Sequence, residues 1–447
     1  DPYAYNNLGN VLKELGRFEE AEKNYLLAIA LKADFSETYS NLGNTLYELG
    51  RLEEALESTT QAIVLKPKYA QAYNNLGMIL SELGRFEEAE KNYLQAITLN
   101  PNFIEAHNNL GILLIGMGKI ESALKHFKIK LELERGAKPI NILHKSFLNI
   151  SKAKIDHDIE QFEYLAASGY GNKKFHELAS IYRKISLEIN SSLDTDIVQL
   201  SDKHQKLLGD TYNRAIHILD APLLDKSPIS KSLNVNKITD DYFNHDFGLT
   251  YIDEFLSPHA LESLREFLLG STIWFDFFHA GGYLGAYLED GLASPLIIQI
   301  AEDLRGKLPK IFKDHKLSQL WAYKYDSRAR YKDSFTGINA HADFAAINVN
   351  FWITPQSANL DKSSGGLVVY NSEAPLDWDF RTFNTNEQRI HQEILNHGGK
   401  KTIIPYNENR AVIFNSNLFH ETDKIDFKDG YENRRINVTM LFGRRED

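Results

Sequence analysis

The sequence predicts a multidomain chain, an all-α solenoid followed by an antiparallel β jelly roll with flanking helices. Three observations carry that prediction. Residues 1–136 repeat with a period of 34. From Gln319 to Gly443, short apolar runs alternate with Gly and Asn turns, the pattern of antiparallel strands. A chain of 447 residues is also too long for one hydrophobic core, so two or three domains are expected.

The repeat register is DPYAYNNLGNVLKELGRFEEAEKNYLLAIALKAD, FSETYSNLGNTLYELGRLEEALESTTQAIVLKPK, YAQAYNNLGMILSELGRFEEAEKNYLQAITLNPN, then FIEAHNNLGILLIGMGKIESALKHFKIKLELERG. This resembles tetratricopeptide repeats, each unit being two antiparallel helices. Gly9, Gly43, Gly77 and Gly111 allow close packing within a pair, and Ala21, Ala55, Ala89 and Ala123 keep the second helix narrow at the crossing. Gly16, Gly50, Gly84 and Gly118 stand at the turn between the helices. Stacked units offer a concave binding surface. Asn7, Asn41, Asn75 and Asn109 recur just before each Leu-Gly pair. That column resembles the asparagine ladder of protein O-glycosyltransferase repeats, which implies a polypeptide held by its backbone, since an amide offers both donor and acceptor. The alternative is a consensus residue inherited with the unit. In the fourth repeat Lys130 replaces the alanine of the other three, and Arg135 stands where Pro67 and Pro101 close theirs, as suits a terminal unit.

Residues 137–220 read as a helical bridge, with Ile159, Phe162 and Leu165 on one face, then Phe175, Leu178, Tyr182 and Ile185 on another. A third helical stretch is expected in DIVQLSDKHQKLLGDTYNRAIHI. Residues 221–240 form a connector, opening with the Pro- and Ser-rich APLLDKSPISK. The last domain, residues 241–447, starts with a strand and a helix capped near Ser257-Pro258, and a second helix presents Ile297, Ile300, Leu304 and Leu308.

Within this domain GINAHADFAAINVNFWITP places His341 and Asp343 two apart, on one face if the segment is strand-like, and AVIFNSNLFHET supplies His420. Two imidazoles and one carboxylate suit a metal ion with open coordination positions. An isolated HxD pair is common by chance; the three together are more specific. In RRINVTMLF, Arg435, Asn437 and Thr439 share one face while Arg434 lies on the other, and a guanidinium is shaped for a bidentate carboxylate. HxD, a distal His and a following Arg resemble the Fe(II)- and 2-oxoglutarate-dependent oxygenases of the prolyl-hydroxylase-like branch, over residues 245–447. The resemblance implies a double-stranded β-helix, iron held by His341, Asp343 and His420, and 2-oxoglutarate bound by Arg435 with Asn437 in place of the family's serine. It also implies O2 as co-substrate and places Tyr325 near 2-oxoglutarate. Tyr283, Tyr287, Arg328, Arg330 and Lys332 read as loop residues over the mouth of the site, where substrate would contact them.

Composition narrows the partners. The net charge of −11 and pI near 5.8 argue against nucleic acid. No stretch approaches eighteen apolar residues, so no membrane span is expected. Cysteine is absent, which excludes disulfides and thiolate ligands and agrees with a cytoplasmic setting. Because the sequence begins inside a repeat and without Met, a segment ahead of residue 1 is expected. The leading functional expectation is an Fe(II)/2-oxoglutarate dioxygenase hydroxylating a protein or peptide recruited by the repeats. The alternatives are a small-molecule hydroxylase whose repeats serve assembly, as in a homo-oligomer, and a non-catalytic interaction protein.

Overall fold

The computed structural model describes residues 1–171, 173–190, 193–279, 282–326 and 337–445. The chain divides into two compact units, Asp1–Leu133 and Glu134–Asp447. The first consists of helical pairs: α1 (Pro2–Glu14) with α2 (Phe18–Leu31), α3 (Ser36–Glu48) with α4 (Leu52–Leu65), α5 (Ala70–Glu82) with α6 (Phe86–Leu99), and α7 (Ile104–Gly116) with α8 (Ile120–Arg135). Each first helix sinks a glycine against its partner: a Cβ on Gly9 would stand 2.5 Å from the Tyr25 ring, and one on Gly77 2.7 Å from Tyr93. Ala21, Ala55, Ala89 and Ala123 are fully buried at the crossings. The four turn glycines have φ between 72° and 75°, where a Cβ is strained. First helices of neighbouring repeats touch one another, α1 on α3, α3 on α5 and α5 on α7, whereas second helices pack chiefly on the first helices beside them. The first helices therefore line the inner side of the stack.

The second unit opens with α9 (Lys145–Leu148), β1 (Asn149–Ile150), α10 (Lys152–Ala167), α11 (Lys173–Glu188), β2 (Val198–Gln199) and α12 (Asp202–Leu208). The expected apolar faces of α10 and α11 meet in one core, with Phe162 stacked on Phe175 and edge-on to Tyr182. The third expected helix is shorter than its pattern: Ser201 caps α12, and Gly209 at φ 51° ends it after seven residues. Val198–Gln199 instead pairs with β1.

Then follow α13 (Val235–Asn244), β3 (Leu249–Ile252), α14 (Pro258–Gly270), β4 (Leu284–Tyr287), α15 (Pro295–Lys307), α16 (Pro309–Phe312), β5 (Leu317–Lys324) and β6 (Ile347–Trp352). The chain continues through β7 (Leu367–Glu373), α17 (Phe380–Thr385), α18 (Glu387–Asn396), β8 (Lys401–Ile404), β9 (Ala411–Asn415), β10 (Leu418–Thr422) and β11 (Ile436–Phe442). Ser257 caps α14 through the Ala260 N–H with Pro258 at its first position, as the sequence signals.

The strands form an antiparallel six-stranded sheet, β3-β9-β6-β11-β5-β4, and a three-stranded sheet, β10-β7-β8. β6 and β11 are buried along their whole length, so their runs read as continuous apolar segments with a few polar insertions. This corrects the expected jelly roll or double-stranded β-helix. The sheets are open, ending on β3 and β4 and on β10 and β8, and do not curl into a closed barrel. The edges β3 and β8 flank a groove of about 610 Å³, with α13 on its wall, instead of pairing. Strand alternation specifies which residues form strands; closure depends on edge-to-edge pairing between segments far apart in sequence.

Candidate functional site

His341, Asp343 and His420 converge, their donor atoms all within 4.8 Å of one another. An antiparallel bridge between His341 and His420 sets the spacing, each backbone N–H donating to the other's carbonyl. His341 Nδ1 lies 2.8 Å from Asn339 O and His420 Nδ1 3.0 Å from Leu418 O. The tautomer with protons on both Nδ1 atoms would satisfy those carbonyls and free both Nε2 atoms for a metal ion. His420 Nε2 is 3.4 Å from Asp343 Oδ2, and His341 Nε2 is 3.8 Å from Oδ1. Burial and the neighbouring His420 push the His341 pKa down to about 4. Burial acts to raise Asp343, but the neighbouring imidazoles, His420 foremost, and the Asn348 amide hold it below the usual carboxylate value. The donor set therefore fits a divalent metal ion.

The carboxylate is anchored by a chain of amides not anticipated from the sequence. Asn348 Nδ2 donates to Asp343 Oδ2 at 2.5 Å, Asn350 Nδ2 to Asn348 Oδ1 at 2.6 Å, and Asn437 Nδ2 to Asn350 Oδ1 at 2.9 Å. Thr439 Oγ1 also donates to Asn350 Oδ1, at 2.8 Å. All are buried. The signal was present in AINVNFWITP, where two asparagines at i and i+2 interrupt an otherwise apolar strand.

Arg434 and Arg435 separate as their alternation suggests. Arg434 Nε donates to Glu160 Oε2 of α10 at 2.8 Å. Arg435 lies over the Tyr325 ring at 4.9 Å, and its Nε and Nη2 donate to Gly365 O at 2.7 Å and Gly366 O at 3.1 Å. Tyr325 Oη is 3.5 Å from Thr422 Oγ1. Asn437 is committed to Asn350 and Thr439. Tyr283 is buried, stacked on His279 at 4.2 Å and 5.3 Å from the Tyr325 ring. Tyr287 Oη donates to Asp276 Oδ2 at 2.8 Å. Burial works against the Asp276 charge, yet His279, Tyr287 and the Phe278 N–H together bring its pKa to about 2. Arg328, Arg330 and Lys332 lie outside the described residues.

A second group of charges also escaped the sequence reading. Lys154 on α10 pairs with Asp158 at 2.7 Å, both buried. Lys324, on β5, is fully buried between the rings of Trp274 and Tyr431 and donates to Tyr431 Oη at 2.8 Å. His157 of α10 packs against the same Trp274 and Tyr431 rings, so the helix meets the sheet's buried lysine through them.

In the first unit the asparagine column stitches repeats together. Asn41 Nδ2 donates to Asn6 Oδ1 at 3.1 Å, Asn75 Nδ2 to Ser40 Oγ at 3.1 Å, and Asn109 Nδ2 to Asn74 Oδ1 at 3.1 Å. Gln71 donates to Asn75 Oδ1, while among the described residues no donor is recorded for Asn41 Oδ1 or Asn109 Oδ1.

The family described as Tetratricopeptide repeat matches residues 70–103 and 92–125, and that described as TPR repeat matches 9–50 and 43–84. The first unit is a tetratricopeptide solenoid. No curated protein matches the sequence. A crystal structure of MamA is 28% identical over 30% of this chain and 78% of its own, with a TM-score of 0.28. MamA from Desulfovibrio magneticus RS-1 is 24% identical over 30% of this chain and 76% of its own, with the same TM-score. The Arabidopsis OM64 TPR domain is 24% identical over 25% of this chain and 93% of its own, at 0.25.

The family matches end at residue 125, and the sheets beyond are open. The assignment to the Fe(II)- and 2-oxoglutarate-dependent oxygenases is therefore withdrawn, and with it dioxygenase activity, hydroxylation, Fe(II), 2-oxoglutarate and O2. An HxD, a distal His and an Arg specify a donor trio and a guanidinium, but not the closed scaffold around them. The expected carboxylate fork is also largely spent, since two of the three Arg435 nitrogens bind main-chain carbonyls. The 610 Å³ groove contains none of these residues. Among the described residues no helix is long and apolar enough to cross a membrane.

Proposed function

We propose that this chain is an interaction protein whose tetratricopeptide solenoid binds an extended polypeptide segment along its inner side. The observation that carries this reading is the asparagine column: its amide nitrogens are tied to the preceding repeat, which fixes the side chains and leaves the Asn41 and Asn109 oxygens as preset acceptors for a peptide N–H. The same helix faces carry Glu14, Glu37, Glu48, Glu82 and Glu105, with Glu37 paired to Lys66, and so favour a basic segment. A protein or peptide partner agrees with the tetratricopeptide match, and the cytoplasm is the setting taken for it.

Fluorescence anisotropy with short labelled peptides tests this reading. Basic peptides should bind more tightly than acidic ones, and Asn41→Ala combined with Asn109→Ala should weaken binding about tenfold, on the order of 1 kcal/mol. Thermal melting of the double variant separates lost stitching from lost contact. Equal affinity for peptides of either charge, or unchanged binding by the variant, would reject the reading.

A second reading concerns the other unit, where His341, Asp343 and His420 would hold a divalent ion such as zinc through two Nε2 atoms and one carboxylate oxygen. The convergence of three donors with both Nδ1 atoms held by carbonyls supports it. A bound ion would supply a fixed positive charge and open coordination positions. Calorimetric titration with Zn²⁺ should show one site per chain, lost in His420→Ala; equal binding by that variant would reject the site.

A further inference from the structure

We infer that the free edge of β3, in the groove beside α13 and β8, takes a segment of a partner polypeptide as an added strand, uncharged and apolar at alternate positions. Hydrogen-bond parity fixes which main-chain groups are free to receive it. Asn415 N–H donates to Gly248 O, so Gly248, Thr250 and Ile252 face β9, while Leu249 and Tyr251 turn their N–H and C=O groups away from it. The other side of β9 agrees: Trp352 N–H donates to Arg410 O and Ser416 N–H to Ala346 O, so its even-numbered residues serve β6. Among the described residues the outward groups of Leu249 and Tyr251 meet no hydrogen-bond partner. On the opposite wall Asn371 N–H donates to Lys400 O, so Thr402 and Ile404 serve β7 while Lys401 and Ile403 turn outward. Lys401 guards the edge of β8, but β3, reading Leu-Thr-Tyr-Ile, has neither lysine, proline nor bulge to keep another strand away.

Outward groups at every second residue, about 6.8 Å apart, match the two-residue repeat of an extended main chain. The surrounding side chains set the occupant's character. Leu249 and Ile404 belong to the core between the two sheets, and Tyr251 and Ile403 are each 51% exposed at the groove. An added strand alternates its side chains between two faces, so apolar residues at every second position would lie beside Leu249 and Tyr251. The charges lining the groove answer one another: Lys237 pairs with Asp241, and Asp253 accepts from Arg410 Nε at 2.7 Å and Nη2 at 2.9 Å. They ask for no charge on the occupant, which sets it apart from the basic segment proposed for the solenoid. A second copy of this chain fits worse, because its own β3 is recessed between the same walls of α13 and β8.

The experiment titrates the full chain with a hexapeptide of alternating serine and valine, acetylated and amidated at its ends, and follows affinity by calorimetry and contact by amide hydrogen exchange. At saturation, exchange of the Leu249 and Tyr251 amides should slow at least tenfold, with the helices of the solenoid unchanged. Two further peptides, N-methylated at the valines alone or at the serines alone, each lose the N–H groups of one strand edge. Their affinities should differ at least tenfold, because only one edge of the added strand meets β3. Absence of binding, protection confined to residues 1–133, or equal affinity of the two N-methylated peptides would each overturn the inference. Sedimentation velocity showing that the free chain is a dimer with these two amides already protected would overturn it too, since the edge would then belong to a second copy.

Discussion

Replacing Asn348 by leucine isolates the amide chain that anchors Asp343. The substitution keeps a side chain of similar size in β6 and removes the 2.5 Å bond to Asp343 Oδ2, a hydrogen bond to a charged group worth about 1.5–3 kcal/mol. It also strands Asn350 Nδ2, whose acceptor is Asn348 Oδ1 at 2.6 Å, at a cost of about 1–3 kcal/mol for a buried donor. Allowing for the added apolar contact, the unit should lose about 3–4 kcal/mol. All four tryptophans, Trp274, Trp321, Trp352 and Trp378, lie in Glu134–Asp447, so tryptophan fluorescence in urea follows this unit without interference from the solenoid. The midpoint should fall with an unchanged slope. Leucine at both 343 and 348 should be less destabilising than the sum of the single changes by at least about 1 kcal/mol, because no stranded carboxylate remains. A single-variant loss below about 1 kcal/mol, or strict additivity, would refute the chain of amides as the anchor.

Three further outcomes follow from the second unit. Gly366→Ala would put a Cβ 1.9 Å from Ile404 O, a backbone atom that cannot swing away, so the β7–β8 pairing should loosen at a cost of about 3 kcal/mol or more; an unchanged urea midpoint would contradict this. His341 has a folded pKa near 4 against 6.5 for the free side chain, so the unfolded chain binds more protons between those values. Stability from this group is complete above about pH 6.5 and declines by about 3 kcal/mol as pH falls to about 4. In His341→Ala the metal-free protein should lose correspondingly less on acidification, as urea titrations at pH 7 and pH 4.5 would reveal. Lys154→Met leaves the buried Asp158 carboxylate without its ammonium and should cost about 3–5 kcal/mol, whereas the Lys154→Met, Asp158→Leu pair should recover most of it; no recovery in calorimetric melting would mean the cost lies in packing.

Much of this architecture is legible because it is local. The 34-residue period places eight helices, and the glycines facing Tyr25, Tyr93 and Phe127 follow from close approach within a single helical pair. The faces of α10 and α11, the Ser257 cap and the alternation that separates Arg434 from Arg435 are likewise properties of neighbouring residues. The third bridging helix failed because its apolar spacing ignored Gly209. The oxygenase resemblance failed for a different reason: a short motif names donor types and is silent on how sheet edges meet.

The sequence by itself determined the repeat unit, most of the helix and strand segments, and that His341 and Asp343 lie on neighbouring positions of one segment. Only the tertiary structure decided that the two sheets remain open, because strand edges β3 and β8 find a groove and α13 instead of each other. It alone decided that Arg435 serves the Gly365 and Gly366 carbonyls and that Asn348 holds Asp343. It also decided that the asparagine column joins repeat to repeat. Each of these depends on which partner a polar group meets across tens or hundreds of residues, and hydrogen-bond satisfaction on burial is settled by the assembled neighbours, not by periodicity.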